Sequence, residues 1–257
     1  MKTVLPPIIL IPGMQCDESM FEGIINRLWT LLPEARLEIH LLHQSGLDAA
    51  VSALMAKIDQ PAILVGHSLG GTVAMALARR FPGKVAGLAL VCASPRPPRP
   101  TQLTYWTSLL RRLKDGELVG IVDEIVPSLV GSTVGSAYAA NHYETCRRMA
   151  LNTGAPGLAA QLRIQLDRID ERPALGNYAG PLLAMAADDD CLVPSDAVRE
   201  ISASTPMGEF ALIPRATHMA PLTMPGTVST TIESWLQKNF SHPGITAFTT
   251  ETQKVES

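Results

Sequence analysis

Ala62-Ile63-Leu64-Val65-Gly66-His67-Ser68-Leu69-Gly70-Gly71 is the stretch that decides the fold. Ala62 to Val65 is a short, unbroken apolar run, as a strand covered on both faces should be, and the residues from Thr72 to Arg80 read as a helix. Between them lies Gly-x-Ser-x-Gly. A strand that enters a helix through so tight a turn leaves no room for flanking side chains, so Gly66 and Gly70 give the backbone space while Ser68 is held strained with its hydroxyl exposed. About one chain of this size in twelve carries the pattern by accident. Chance seldom sets it between a buried strand and an amphipathic helix, however, and Gly71 adds a further small residue where the two must approach. Ser68 is therefore read as a nucleophile rather than as part of a purely structural turn. His67 is read as packing, because neighbouring side chains point apart at such a turn.

Outward from this turn, strands and helices alternate. Residues 8–11 read as the first strand, ending at Pro12-Gly13-Met14-Gln15-Cys16, and a helix over 18–32 follows with Asp17 as its N-cap. Residues 37–41 form a second strand candidate, 47–58 a helix that Asp48 is placed to cap, and 85–92 a fourth apolar run. Such alternation predicts a parallel sheet with helices on both faces. It stops at the proline-rich segment 93–100, after which only helical patterning appears, over 101–114, 117–129, 133–152 and 156–169, divided by Gly116, Gly131 and Gly154. An all-helical block between two sheet strands is best explained as a cap over a site. The sheet resumes at 181–187, followed by a helix over 196–204, a last strand over 209–213 and a closing helix over 226–239. The expected organisation is α/β, a mostly parallel sheet of about six strands with helices on both faces. Residues 1–94 and 176–240 make its core, 95–175 an inserted all-helical cap, and 241–257 a polar tail that lies at the periphery or packs on another subunit, as in a homodimer.

With 257 residues, 46% hydrophobic and 18% charged, the chain suits one domain with a large core. A formal charge of -3 and a pI near 6.1 supply no basic field for a nucleic-acid backbone. No apolar run approaches the roughly 20 residues needed to cross a bilayer. The apolar start is broken by Pro6 and Pro7 and runs straight into the loop after the first strand, which argues against a secretory signal. Cys16, Cys92, Cys146 and Cys191 show no metal-ligand spacing and no Cys-x-x-Cys; free thiols in a reducing, cytoplasmic compartment are expected, a Cys16–Cys191 disulfide being the alternative.

A serine hydroxyl is a poor nucleophile near neutral pH and needs a base within hydrogen-bond reach, with a third group to orient that base. Ser68, an aspartate from Asp188-Asp189-Asp190 and His218 each follow the end of a strand, and in an open parallel sheet those ends share one edge. An oxyanion formed at an acyl carbon needs N–H donors aimed at it, and Leu69, at the start of the helix after the nucleophile, is one.

Together Gly66-His67-Ser68-Leu69-Gly70-Gly71, Asp190-x-x-x-Pro194 and Thr217-His218-Met219-Ala220-Pro221 resemble the α/β-hydrolase superfamily, in particular its small serine carboxylesterase-like members with a helical lid, over residues 8–240 or so. The resemblance implies that Asp190 is the acid, accepting the Nδ1 hydrogen of His218, and that Met14 is the second oxyanion donor. Three departures stand out. Pro12 replaces a common histidine before Gly13, Thr217 stands where glycine is common, and the seven residues before Ile8 leave no room for a leading hairpin. Residues 161–173, with Arg168, Asp170 and Arg172, are similar to small bacterial-type hydrolases labelled carboxylesterases.

Other polar residues read first as structural. His43 and His142 suit surface or packing positions, Arg96 and Arg99 a solvated linker, and the stripe Leu103, Trp106, Leu109, Leu110 and Leu113 the inner face of a cap helix. The expected function is hydrolysis of a small-molecule carboxylic ester, thioester or lactone through an acyl-enzyme, with no cofactor and no metal implied. Acyl transfer, cleavage of a carbon–carbon bond by the same triad, and a non-catalytic ligand receptor on the same fold are the alternatives.

Overall fold

The computed structural model describes residues 5–131 and 137–240. Six strands, β1 Ile8–Ile11, β2 Leu37–Ile39, β3 Ala62–His67, β4 Val85–Val91, β5 Leu182–Ala187 and β6 Gly208–Ile213, form one sheet in the order β2-β1-β3-β4-β5-β6. All five pairings are parallel. The unbroken apolar runs follow from this geometry, because side chains alternate across a pleat and both faces are covered. Ile8, Leu10, Ile63, Val65, Leu183 and Met185 enter one buried layer, while Ile9, Ile11, Leu64, Leu182 and Ala184 enter the other. Helices α1 Glu22–Leu31 and α10 Pro225–Asn239 pack together against the first layer; α2 Leu47–Met55, α3 Leu69–Arg80 and α8 Ser195–Ala203 cover the second.

The chain adds β2 on one side of β1 and then returns to place β3 on the other, so the order reverses between β1 and β3. Ligands of open α/β sheets bind outside the carboxyl ends of strands at such a reversal. The loop after β1 and the turn after β3 therefore face each other across it.

Several local expectations change, among them the helix expected over 47–58, which ends at Met55, and the strand expected over 62–65, which runs to His67. The helix expected over 18–32 opens as a 3-10 turn, Glu18–Phe21, with Asp17 capping it by accepting the Ser19 N–H at 3.0 Å. Asp48 does not cap α2: the Leu47 N–H donates to Asp167 Oδ2 at 3.0 Å, from far along the chain, and Asp48 pairs with Arg80 instead. β2 stops at Ile39, two residues short, as suits a half-buried edge strand.

Between β4 and β5 lie α4 Pro100–Lys114, α5 Leu118–Val130 and α6 Ala137–Leu166, packed on one another. The non-helical backbone of Gly154 (φ 68, ψ 171) divides α6 into two helical stretches, as expected for 133–152 and 156–169; the second ends at Leu166, and positions 133–136 lie outside the described residues. On α4, Trp106, Leu109 and Leu113 are buried while Leu103 is exposed, so the stripe is mainly a packing face. A short α7, Arg172–Leu175, leads back toward β5.

The two ends of the inserted segment are clasped. The Arg168 guanidinium donates to the Ser94 carbonyl at 3.3 Å and the Arg96 carbonyl at 2.8 Å, and the Glu171 N–H donates to Pro95 O at 2.8 Å. The buried Glu171 carboxylate pairs with Arg79 at 2.9 Å. Arg96, expected to be merely solvated, is forked onto Glu200 at 2.8 and 2.6 Å. The expected peripheral tail, 241–257, lies outside the described residues. Among the described residues no helix is long and apolar enough to cross a membrane. All four cysteines are free thiols, so Cys16 and Cys191 are not bridged.

Candidate active site

Ser68 sits between β3 and α3 with φ 48 and ψ -111, a conformation that non-glycine residues rarely adopt. Its N–H donates to Val91 O at 2.9 Å and its carbonyl accepts the Thr72 N–H at 3.1 Å, so neighbouring strand and helix both hold the strained residue. The turn closes only because Gly70 has no side chain: a Cβ there would lie 2.0 Å from the Ile11 carbonyl oxygen.

A short helix α9, Ala220–Thr223, follows the loop after β6 that carries His218. Neighbouring strands are ~4.8 Å apart, so this loop reaches back across about 14 Å of sheet edge to meet Ser68. One backbone bond and one to a side chain tie it to the loop after β5: Asp189 N–H to Ala216 O at 2.9 Å, and Ala216 N–H to Asp188 Oδ1 at 3.1 Å. Asp188 is thus a tether as well as a turn residue. His218 Nδ1 then lies 2.8 Å from Asp190 Oδ2, and Nε2 lies 3.0 Å from Ser68 Oγ.

Burial pushes the Asp190 carboxyl up, but the charge and hydrogen bond of His218, with the N–H groups of Val193 and Leu192, hold it below the usual value. Both of those N–H groups donate to Oδ1, at 2.9 and 2.8 Å, which leaves Oδ2 for the imidazole. An ionised carboxylate only accepts, so Nδ1 carries the ring hydrogen and Nε2 offers its lone pair to the Ser68 hydroxyl. The three expected residues are therefore brought together in the expected order.

His67 is buried as expected, but it also does more than fill space. Its Nε2 donates to the backbone carbonyl of His218 at 2.8 Å. Burial, and next the nearby His218, pull its pKa down to about 3, so the ring is neutral. Its other nitrogen has no partner and faces the backbone of Gly13, where a Cβ would come within 2.6 Å. Gly13 thus lets the loop after β1 close onto His67 and Ser68, with Met14 next in the chain. Leu69 is the first residue of α3, and the N–H groups of a first helical turn have no partner within the helix. Thr217, in place of the common glycine, is buried with its methyl group against Gly131 at the end of α5.

One group of potential metal ligands occurs among the described residues: donor atoms of His67, Cys92 and His218 lie within 4.8 Å of one another. Their hydrogen bonds explain the proximity. His218 is engaged at both nitrogens and His67 at Nε2, while burial and then the charge of Asp190 push the Cys92 pKa well above the usual value. A thiol so placed resists becoming the thiolate that a metal would need.

A sequence profile of the alpha/beta hydrolase fold matches residues 41–225, well over half of the chain. The chain belongs to the α/β hydrolase fold family. A pimeloyl-[acyl-carrier protein] methyl ester esterase of Xanthomonas oryzae pv. oryzae is 27% identical over 236 residues, 83% of this chain and 88% of that protein. The RutD protein of Pantoea ananatis is 27% identical over 189 residues, 70% of this chain but only 65% of that protein, just under two thirds of its length. A thermophilic esterase of Thermogutta terrifontis superimposes with a TM-score of 0.81 at 23% identity, over 92% of this chain and 91% of that one. At that identity the likeness shows the fold.

Four parts of this α/β hydrolase site escape the sequence reading. They are the His67 bond to His218, the Cys92 thiol beside Asp190, the unpaired amide of Gln15 and the buried Gln161. Gln161 alone leaves a trace, a lone amide in the apolar run Leu158-Ala159-Ala160-Gln161-Leu162.

Proposed function

We propose that the protein is a serine hydrolase that cleaves a carboxylic ester, or the related thioester or lactone, through an acyl-enzyme. The observation that carries this reading is the single imidazole of His218 within hydrogen-bond distance of both Ser68 Oγ and Asp190 Oδ2. The esterase named among its relatives is consistent with it.

In this mechanism Ser68 Oγ attacks the acyl carbon while His218 Nε2 takes the hydroxyl proton. Asp190 keeps the ring in the required tautomer and stabilises the imidazolium. The carbonyl oxygen becomes an oxyanion held by the Leu69 N–H at the start of α3 and the Met14 N–H of the loop after β1. Each donor is worth a few kcal/mol in the transition state. Collapse of the adduct breaks the bond to the alcohol, which leaves with the proton from His218. Water, activated by the same imidazole, then releases the acid and restores Ser68.

The helical insertion over 95–175 acts as the cap of this site. Its contacts with the catalytic loops support that role: Asn152 Nδ2 donates to Asp17 Oδ2 at 3.2 Å, and the Cys191 thiol to Ser128 O at 3.1 Å. The unpaired thiols suit a reducing, cytoplasmic setting.

The test is labelling with a fluorophosphonate, followed by a screen of p-nitrophenyl esters of increasing chain length, lactones and acyl thioesters. The expected result is one adduct on Ser68, absent in Ser68→Ala, with turnover of at least one ester series. A wild-type protein that stays unlabelled would instead favour a ligand receptor on this fold.

A further inference from the structure

Gln161, on α6, is 3% exposed, far from Ser68 in the chain, and makes two buried hydrogen bonds. Its Oε1 accepts the N–H of Gln15 at 2.8 Å, and its Nε2 donates to the Leu42 carbonyl at 3.3 Å. Gln15 follows Met14 and has φ 62, left-handed backbone that disfavours a residue bearing a side chain. Gln15's own side chain does not hold the turn, since both its amide atoms are buried without partners. Within the loop the Cys16 thiol donates to the Met14 carbonyl at 3.4 Å; from outside it, the Met14–Gln15 peptide is held by an amide contributed by the cap, braced in turn on the loop after β2.

We propose that Gln161 is a positioning residue for the oxyanion loop, through which the cap fixes the direction of the Met14 N–H. The inference rests on the serine-hydrolase reading. Gln161 touches no reacting atom; it orients the peptide next to the one that supplies the donor. An oxyanion donor is effective only when preorganised, because its contribution depends on aim at the moment charge develops. A buried N–H such as that of Gln15 would otherwise lack a partner, and the loop would relax to find one. The loss should therefore fall on the chemical step and not on substrate capture.

The test compares Gln161→Met, which keeps the volume and removes both bonds, with Gln161→Glu, which keeps an acceptor for the Gln15 N–H. Rates are expressed per active site titrated with a fluorophosphonate, so that partly folded enzyme does not count. For Gln161→Met, kcat should fall about 10- to 100-fold, as for an ångström-scale misplacement, with KM nearly unchanged. The affinity of a boronic acid that mimics the tetrahedral adduct should weaken by a similar factor. Gln161→Glu should recover most of kcat. An unchanged kcat in Gln161→Met, or equal losses in both variants, would overturn the positioning role while leaving the hydrolase reading intact. A wild-type enzyme that is neither labelled nor active would overturn the hydrolase reading itself.

Discussion

Asp190 shows how one side chain can be held to one role. Its Oδ1 is engaged by two backbone N–H groups, of Leu192 and Val193, so Oδ2 alone faces His218. In Asp190→Asn the amide oxygen would stay at the Oδ1 position, where those donors need an acceptor, and the NH2 would point at Nδ1. The imidazole would then have to place its hydrogen on Nε2, where it cannot accept the serine proton. A kcat loss of about 10⁴ with little change in KM is expected from steady-state kinetics, and a loss under tenfold would mean that another carboxylate does the work. At this scale Ser68 and His218 were legible because strand ends mark them. Asp190 was separable from Asp188 and Asp189 only by its spacing to Pro194. The second role of His67 was not legible, because a bond to a carbonyl 151 residues away leaves no local pattern.

Among the elements, the turn from β3 into α3 is the most strongly determined by sequence. Gly70 lies against the Ile11 carbonyl, with no space for a methyl group. Gly70→Ala should therefore leave the protein insoluble or destabilised by ~3 kcal/mol or more, read from urea unfolding. The clasp of the helical insertion was not legible. Arg168 stood out only as part of a resemblance, yet its guanidinium bridges Ser94, Arg96 and Gln165. Arg168→Met keeps the apolar stem and strips those bonds, so unfolding free energy should drop by ~2–3 kcal/mol while Ser68 remains reactive to fluorophosphonate. An unchanged urea midpoint would mean that the clasp contributes little. The sequence also did not reveal that Asp167 caps α2, since a cap supplied from 120 residues away is tertiary.

For the molecule as a whole, the sheet was readable because burial on both faces writes itself as unbroken apolar runs, and crossover handedness leaves few ways to join them. Two strands differ in length by two residues: the half-buried edge β2 stops early, having only one neighbour to fix its end, and β3 runs past its apolar residues through Gly66 and His67, where β4 still pairs with it. Burial on this scale also sets how stability depends on pH. Burial, foremost, holds His40, His67 and His142 below the ordinary imidazole value, His40 being lowered also by Lys57 and His43. On unfolding they return to about 6.5. Between pH 6.5 and 5 the unfolded chain therefore binds protons that the folded one does not, and stability must fall as pH falls. The depressed carboxylates Asp170, Asp190, Glu200 and Glu209 act in the same direction, but only as pH drops toward their unfolded values near 4. His67, with a folded value of about 3, should supply about half a proton at pH 6.5 and nearly one by pH 5, so its share of the slope rises toward ~1.4 kcal/mol per pH unit at the acid end. Urea unfolding at half-unit steps from pH 7.5 to 5 should show stability level at the top and declining below 6.5. His67→Gln should make that decline shallower, by about half a proton at pH 6.5 and nearly one at pH 5, whatever its effect on stability at pH 7.5; an unaltered slope would mean that His67 already protonates inside the folded protein.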